Sequence, residues 1–197
     1  DGSLSAEPVA TQITDEKAHA IVIDATNRFA LVPHTGPNAI YQFRFDEKTG
    51  ALTPNSPSKI HTGEKTGPRH VGFHPNNRFA YADNEQASSV TAYRFDAAAG
   101  TLSPLETLST LPEGFTGENS CARLEVHPSG RFVYAANRGH DSIACFAIDS
   151  VTGKLTPVQT TRTEPTPRSF NIDPSGRFLF AAGQSSGKLA SYRIDAQ

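Results

Sequence analysis

The sequence has no methionine, no tryptophan and only two cysteines in 197 residues. It starts at Asp1, so a chain without any Met is expected to be mature, trimmed or excised rather than a complete primary translation product. Cys121 and Cys145 lie far apart and outside any C-x-x-C pair, which excludes a thiolate metal site. Two reduced thiols are the simpler expectation, with a disulfide between them as the alternative. No apolar run approaches the ~20 residues of a membrane-spanning helix. A formal charge of −2 provides no basic footprint for nucleic acid. No secretory signal is visible, but a removed one leaves no trace. The expected compartment therefore stays open: soluble, and either cytoplasmic or periplasmic or secreted. The chain also lacks a Gly-rich phosphate loop, an H-E-x-x-H helix, a G-x-S-x-G elbow and calcium-loop spacing. Nothing in it calls for a metal or a cofactor.

What is present is a repeat. Four segments align: DATNRFALVPHTG (24–36), HPNNRFAYADNEQ (74–86), HPSGRFVYAANRG (127–139) and DPSGRFLFAAGQS (173–185). Their Arg-Phe pairs start at Arg28, Arg78, Arg131 and Arg177, spaced by 50, 53 and 46 residues. A second landmark follows the first three: DEKTGALTP (46–54), DAAAGTLSP (96–104) and DSVTGKLTP (149–157). Each unit reads as four strands. Strand a is the apolar run before the x-Pro turn, such as Arg69 to Phe73. Strand b carries the Arg-Phe pair and strand c alternates after it, as in Ile143 to Ile148. Strand d begins at Leu52, Leu102 or Leu155, after the Asp-x-x-x-Gly turn. No segment has convincing helical periodicity.

Four short strands in ~50 residues describe a β-propeller blade, and a fixed supersecondary period distinguishes this from the alternative, a β-sandwich. The fold expected is all-β, with about four blades of four antiparallel strands in one region, 1–197. Residues 1–12 read as a strand d, and the units run over about 18–64, 65–117, 118–163 and 164–197. Since the last unit stops after strand c, the chain either closes on itself with its ends sharing one blade or is a stretch of a larger ring.

In such blades the d–a and b–c loops share one face near the central channel, where a rigid scaffold offers variable loops for binding. Two columns on that face vary while the scaffold repeats. Nine residues before each Arg-Phe pair stand His19, Arg69, Ala122 and Arg168, with Arg123 one place on. Seven residues after each pair's Arg stand Thr35, Glu85, Arg138 and Gln184. Arginines offer bidentate donors to a carboxylate or phosphate, and Glu85 and His19 can move protons. A Glu beside two Arg is expected to stay ionised. The alternative role for the same residues is inter-blade ion pairing. His74 and His127 share a pre-Pro position on the opposite face and read as structural. His61 reads as a solvated strand end, and His34 and His140 sit at b–c loops.

GPRHVGFHPNNRFAYADNE (67–85), HPSGRFVYAANRGHDSI (127–143) and the D-x-x-T-G-x-L-T-P turns resemble the lactonase family of seven-bladed propellers. That family includes propeller-type 6-phosphogluconolactonases and fungal carboxy-cis,cis-muconate cyclases. The resemblance covers essentially the whole chain and implies a seven-bladed ring, of which about four blades are here, completed by missing blades or a second copy. It implies lactone chemistry on a small anionic lactone without a cofactor: hydrolysis of a sugar-acid lactone of the 6-phosphogluconolactone kind, or a cycloisomerisation of the muconate kind. By motif, the active site implied for the cyclase branch falls on His19, Arg69, Glu85 and Arg138; the blade comparison adds Arg168, Arg123, His70 and His140 as substrate-binding candidates. The first b–c loop departs from the family, with PHTGPN (33–38) where an acid is common. A reading from another class is a non-catalytic propeller that binds a partner.

Overall fold

A computed structural model describes residues 2–195. Among these residues there is no helix, and the strands form four separate antiparallel sheets. The first blade is β1 (Val22–Ile23), β2 (Phe29–His34), β3 (Ala39–Phe45) and β4 (Leu52–His61). The second is β5 (Pro68–Phe73), β6 (Phe79–Asn84), β7 (Ser89–Asp96) and β8 (Thr101–Ser109). The third is β9 (Ser120–Val126), β10 (Phe132–Arg138), β11 (Ser142–Ile148) and β12 (Leu155–Arg162). The fourth has three strands, β13 (Pro167–Ile172), β14 (Phe178–Gly183) and β15 (Lys188–Arg193). The sheets run in chain order, a-b-c-d in the first three and a-b-c in the fourth, and neighbouring a strands, β5 with β9 and β9 with β13, pack side by side.

The expected strand d in residues 1–12 is corrected for the residues described: 2–12 form no strand and are exposed. A strand needs a ladder partner, and Gln12 instead donates its side-chain amide to the Leu52 carbonyl beside the first blade's outer turn. Among the described residues the fourth sheet has three strands and takes none from residues 2–12.

The Arg-Phe landmark seats one blade on the next. Phe29 and Phe79 are buried, and each ring lies against the turn glycine of the following blade. A Cβ on Gly100 would stand 2.0 Å from the Phe29 ring, and one on Gly153 would stand 2.3 Å from the Phe79 ring. Both glycines also hold positive φ, 73° and 77°, which an L side chain resists. Tyr81 reinforces the second seat by donating to the Gly153 carbonyl. Each arginine of the first three pairs lies over its own phenylalanine ring.

A second set of ties joins the a–b turns. Asn77 donates to Asp24, His74 Nε2 to the Gly130 carbonyl, and His127 Nε2 to the Gly176 carbonyl. The Nδ1 atoms of the two histidines accept main-chain N–H bonds from Asn76 and Ser129, which fixes the proton on Nε2. These histidines are structural, as expected. Cys121 and Cys145 are free and buried, and burial pushes their thiols up to about 12 and about 11, so neither is a ready nucleophile.

Gly153→Ala is expected to lose more than about 2 kcal/mol, combining left-handed strain with overpacking against Phe79. Gly114→Ala is the control, because Gly114 has φ 80° but open space around it, and should lose only the backbone share of about 1–2 kcal/mol. Urea denaturation of both variants decides the matter, and equal losses would mean that the ring contact is not the constraint.

Candidate active site

A recurring β-bulge builds the site. In the second blade Pro68 pairs with Asn84 and His70 with Asp83, so Arg69 is an extra residue in β5. The fourth blade repeats this, with Pro167 opposite Gly183, Ser169 opposite Ala182, and Arg168 extra in β13. The third has one surplus residue within Ala122–Arg123, and the first has one between the Ala18–His34 bridge and the Val22–Leu31 pair, a stretch that contains His19. In a regular strand, neighbours point to opposite faces. A bulge re-aims them, so Arg69 and His70 both reach one cleft, as do Arg168 and Ser169.

That cleft has a volume of about 390 Å³ and is open to solvent. His19, Arg69, His70, Arg123 and Arg168 line it, together with the end of β14 and Gln184. Arg69 is buried to 3 % exposure. Its Nε lies 3.2 Å from Glu85 Oε2, close enough for charge attraction but not aligned for a hydrogen bond. Arg138, from the next blade, donates through Nη2 to Glu85 Oε1 at 2.6 Å and to the Cys121 carbonyl at 2.9 Å. Glu85 is thus clamped between two guanidinium groups. Burial pushes its carboxyl up, but the Arg138 bond and the charges of Arg138, Arg69 and His19 outweigh this and leave it below the ordinary value of 4.5. Burial lowers His19, with the Arg69 charge adding to it, so the imidazole is neutral at physiological pH. Burial also lowers Arg69, which nevertheless remains charged.

His19, Arg69, Glu85 and Arg138 are therefore brought together, and Arg168 also faces Arg69 electrostatically. The other candidates divide. His70 meets the His19 ring edge-on at 5.0 Å between centroids. Arg123 lines the cleft but is engaged by Glu125 at 2.6 Å. Glu125 in turn accepts the Ile172 N–H of the next blade, so Arg123 is tied to scaffold. His140 does not line the cleft, and neither do Glu85 and Arg138, which stand behind Arg69. The ring of His140 is buried against Phe115 and bonded to Ser142, and Arg162 donates to that residue's carbonyl. His34 is also buried, bonded to Thr14 and Val32. Among the described residues no group of His, Cys, Asp or Glu could hold a metal ion.

Asp83 escaped the sequence reading. It is fully buried beside the cleft, and its Oδ1 accepts the His70 main-chain N–H at 2.6 Å. The signal was present: five places after each pair's Arg the chain has Pro33, Asp83, Ala136 and Ala182, and only the second blade carries charge there.

Residues 3–197 match a family described as the seven-bladed β-propeller lactonases. The 6-phosphogluconolactonase of Erwinia tasmaniensis is 36% identical over 173 residues, which are 88% of this chain and 52% of that protein. The Bacillus subtilis 6-phosphogluconolactonase is 33% identical over 161 residues, 80% of this chain and 45% of that one. Among solved structures, the periplasmic gluconolactonase PpgL of Pseudomonas aeruginosa superposes with a TM-score of 0.84 at 29% identity, covering 91% of this chain and 50% of that one. The chain spans about half the length of the curated relatives it matches.

The Glu85 clamp has a signed pH dependence. Its folded pKa is depressed, so its contribution to stability is present above the ordinary value of 4.5 and is lost as pH falls through the folded value. Wild type should therefore exceed Glu85→Gln in stability at pH 7, and the gap should narrow at acid pH, below the ordinary carboxylate value. Paired urea melts at neutral and acid pH check this, and a gap of constant size would refute the clamp.

Proposed function

The chain belongs to the lactonase family of seven-bladed β-propellers, and on that footing we propose that it serves a lactone hydrolase of the 6-phosphogluconolactonase kind. The observation that carries the reading is the Glu85 carboxylate held between Arg69 and Arg138 beside an open cleft that also holds a neutral His19 and the guanidinium of Arg168. The names of its relatives point to sugar-acid lactones as the substrate class. Further blades, from the same polypeptide or a second copy, complete the ring and the remaining wall of the cleft.

Lactone hydrolysis adds water to the ring carbonyl, collapses the resulting oxyanion and expels the ring oxygen as a hydroxyl. It needs a proton acceptor for the water, positive charge at the oxyanion and a proton for the leaving oxygen. Neutral His19 is a stronger base than Glu85, which its arginines depress. Glu85 orients the water and holds the two guanidinium groups at fixed positions. Arg69 offers charge to the oxyanion. No salt bridge among the described residues engages Arg168, which leaves it to take the anionic substituent of the substrate.

The test is a pH-stat assay of acid release, on the completed ring, from δ-lactones with and without a 6-phosphate. Glu85→Gln and His19→Gln should each lower kcat about 10²–10⁴-fold. Arg168→Ala should raise KM for the phosphorylated lactone about tenfold, the loss of one charge-assisted contact of about 1.4 kcal/mol or more, and change the unphosphorylated lactone less. Undiminished turnover in Glu85→Gln would refute the assignment. A folded wild type without turnover would favour the binding-module reading.

A further inference from the structure

His70 and Asp83 form a unit that the roles above do not use. Arg69 Nη1 stands 3.3 Å from His70 Nδ1. A guanidinium can only donate, so at this contact Nδ1 must be the acceptor and the imidazole proton must sit on Nε2. A second neighbour pulls the other way: Asp83 Oδ1 lies 3.8 Å from the same Nδ1, and a carboxylate there favours a proton on it. The shorter contact has hydrogen-bond geometry and the longer one does not. Nε2 has no hydrogen-bond partner among the described residues, and His70 lines the cleft. The charged and titratable groups around the ring are Arg69 on its own strand, Asp83 and Glu85 from β6 and the loop after it, His19 from the first blade, and Arg123 and Arg168 across the cleft.

Asp83 explains how the ring is held there. The bulge displaces the chain at Arg69, and the Asp83 carboxylate binds the next main-chain N–H, that of His70. In the other blades the equivalent positions are Pro33, Ala136 and Ala182, so the fold itself does not require an acid. Asp83 is fully buried, and its Oδ2 has no hydrogen-bond partner. A buried acid with an unsatisfied oxygen is costly unless something in the site needs it.

We propose that His70 stands in this cleft as a hydrogen-bond donor, its Nε2–H left for a substrate oxygen because Arg69 occupies Nδ1, and that Asp83 is the positioning residue holding His70 in place through the main chain. The inference rests on the hydrolase reading only for the nature of that oxygen, which there is the lactone carbonyl or its oxyanion. In that reaction the bond from Nε2–H adds to the positive charge of Arg69 at the developing oxyanion, and no proton is transferred by His70.

Two measurements need no substrate. Long-range ¹H–¹⁵N spectra of the histidine rings should show His70 as the Nε2–H tautomer at neutral pH, and an Nδ1–H ring would overturn the proposal. In Arg69→Met the carboxylate of Asp83 becomes the nearest charge to Nδ1, so His70 should move to Nδ1–H; an unchanged tautomer would overturn the role given to Arg69. For Asp83, exchange of the His70 amide hydrogen should accelerate at least tenfold in Asp83→Ala and stay near wild type in Asp83→Asn, whose amide oxygen accepts the same bond. The alanine occurs at this position in the third and fourth blades, so the variant fits the fold, and equal exchange in both variants would overturn the anchor.

A third measurement uses turnover of a δ-lactone. His70→Gln, which retains an N–H donor, should keep kcat within about tenfold of wild type, the scale of one hydrogen bond, while His70→Ala falls further at little change in KM. Equal losses in the two would overturn the donor role. Wild-type protein with the expected tautomer and exchange pattern but no lactone turnover would refute the hydrolase reading and still bear out the His70–Asp83 arrangement.

Discussion

The whole arrangement depends on a phenylalanine ring lying where the next blade's turn can have no side chain. Phe29 on Gly100 and Phe79 on Gly153 set the distance and the angle between successive sheets. Because one contact type is reused, blades stack in a fixed rotation, and strands a fall side by side. A charged contact at the channel face is made across the second of these seats: Arg138 of the third blade reaches Glu85 of the second. A shift of one blade by an ångström would leave buried guanidinium groups without their carboxylate, which costs far more than the exposed pairs of a surface. Packing on one face thus protects polar geometry on the other.

The repeat made the fold legible because each landmark is local. Arg-Phe marks the start of strand b, Asp-x-x-x-Gly marks the c–d turn, and Leu52, Leu102 and Leu155 fall in strand d within one residue of its start. The site was legible in part for the same reason. Once a scaffold repeats, departures from it stand out, and the columns holding His19, Arg69 and Arg168, and Glu85 and Arg138, identified residues that converge. What the sequence could not supply was count across strands. A bulge is a surplus of one residue relative to a partner, and no single strand shows its own surplus. The adjacency of Arg69 and His70 in one cleft follows from that surplus, since alternation would have sent them to opposite faces.

The misreadings have physical causes too. Residues 2–12 have the turn-then-apolar pattern of a strand d, but strand structure is a property of pairs, and no c strand stands beside them. His140 sits in the same kind of loop as Glu85, one blade on, yet its ring turns inward because Ser142 accepts or donates at Nδ1 and Phe115 covers it. Asp83 was overlooked because it sits inside an alternating strand, where an apolar residue is the default. Only comparison with Pro33, Ala136 and Ala182 reveals it as an exception.

The charges of the cleft are unequally employed, and this gives the site its direction. Arg69 and Arg138 are held by Glu85, and Arg123 is held by Glu125, which also serves the scaffold. An anion entering the cleft would have to compete with a carboxylate for any of these three. Arg168 has no such competitor among the described ion pairs, and it faces the cleft from the fourth blade. On the proposed hydrolase reading, the clamped arginines instead provide fixed positive charge at a point where a full anion gains little but a developing one gains much, because the donors are already in place and do not reorganise. An anionic substrate would, on the same reading, be oriented with its permanent charge toward the fourth blade and its reacting carbonyl toward the second. That polarity follows from which carboxylates are already occupied, and a count of arginines alone would miss it.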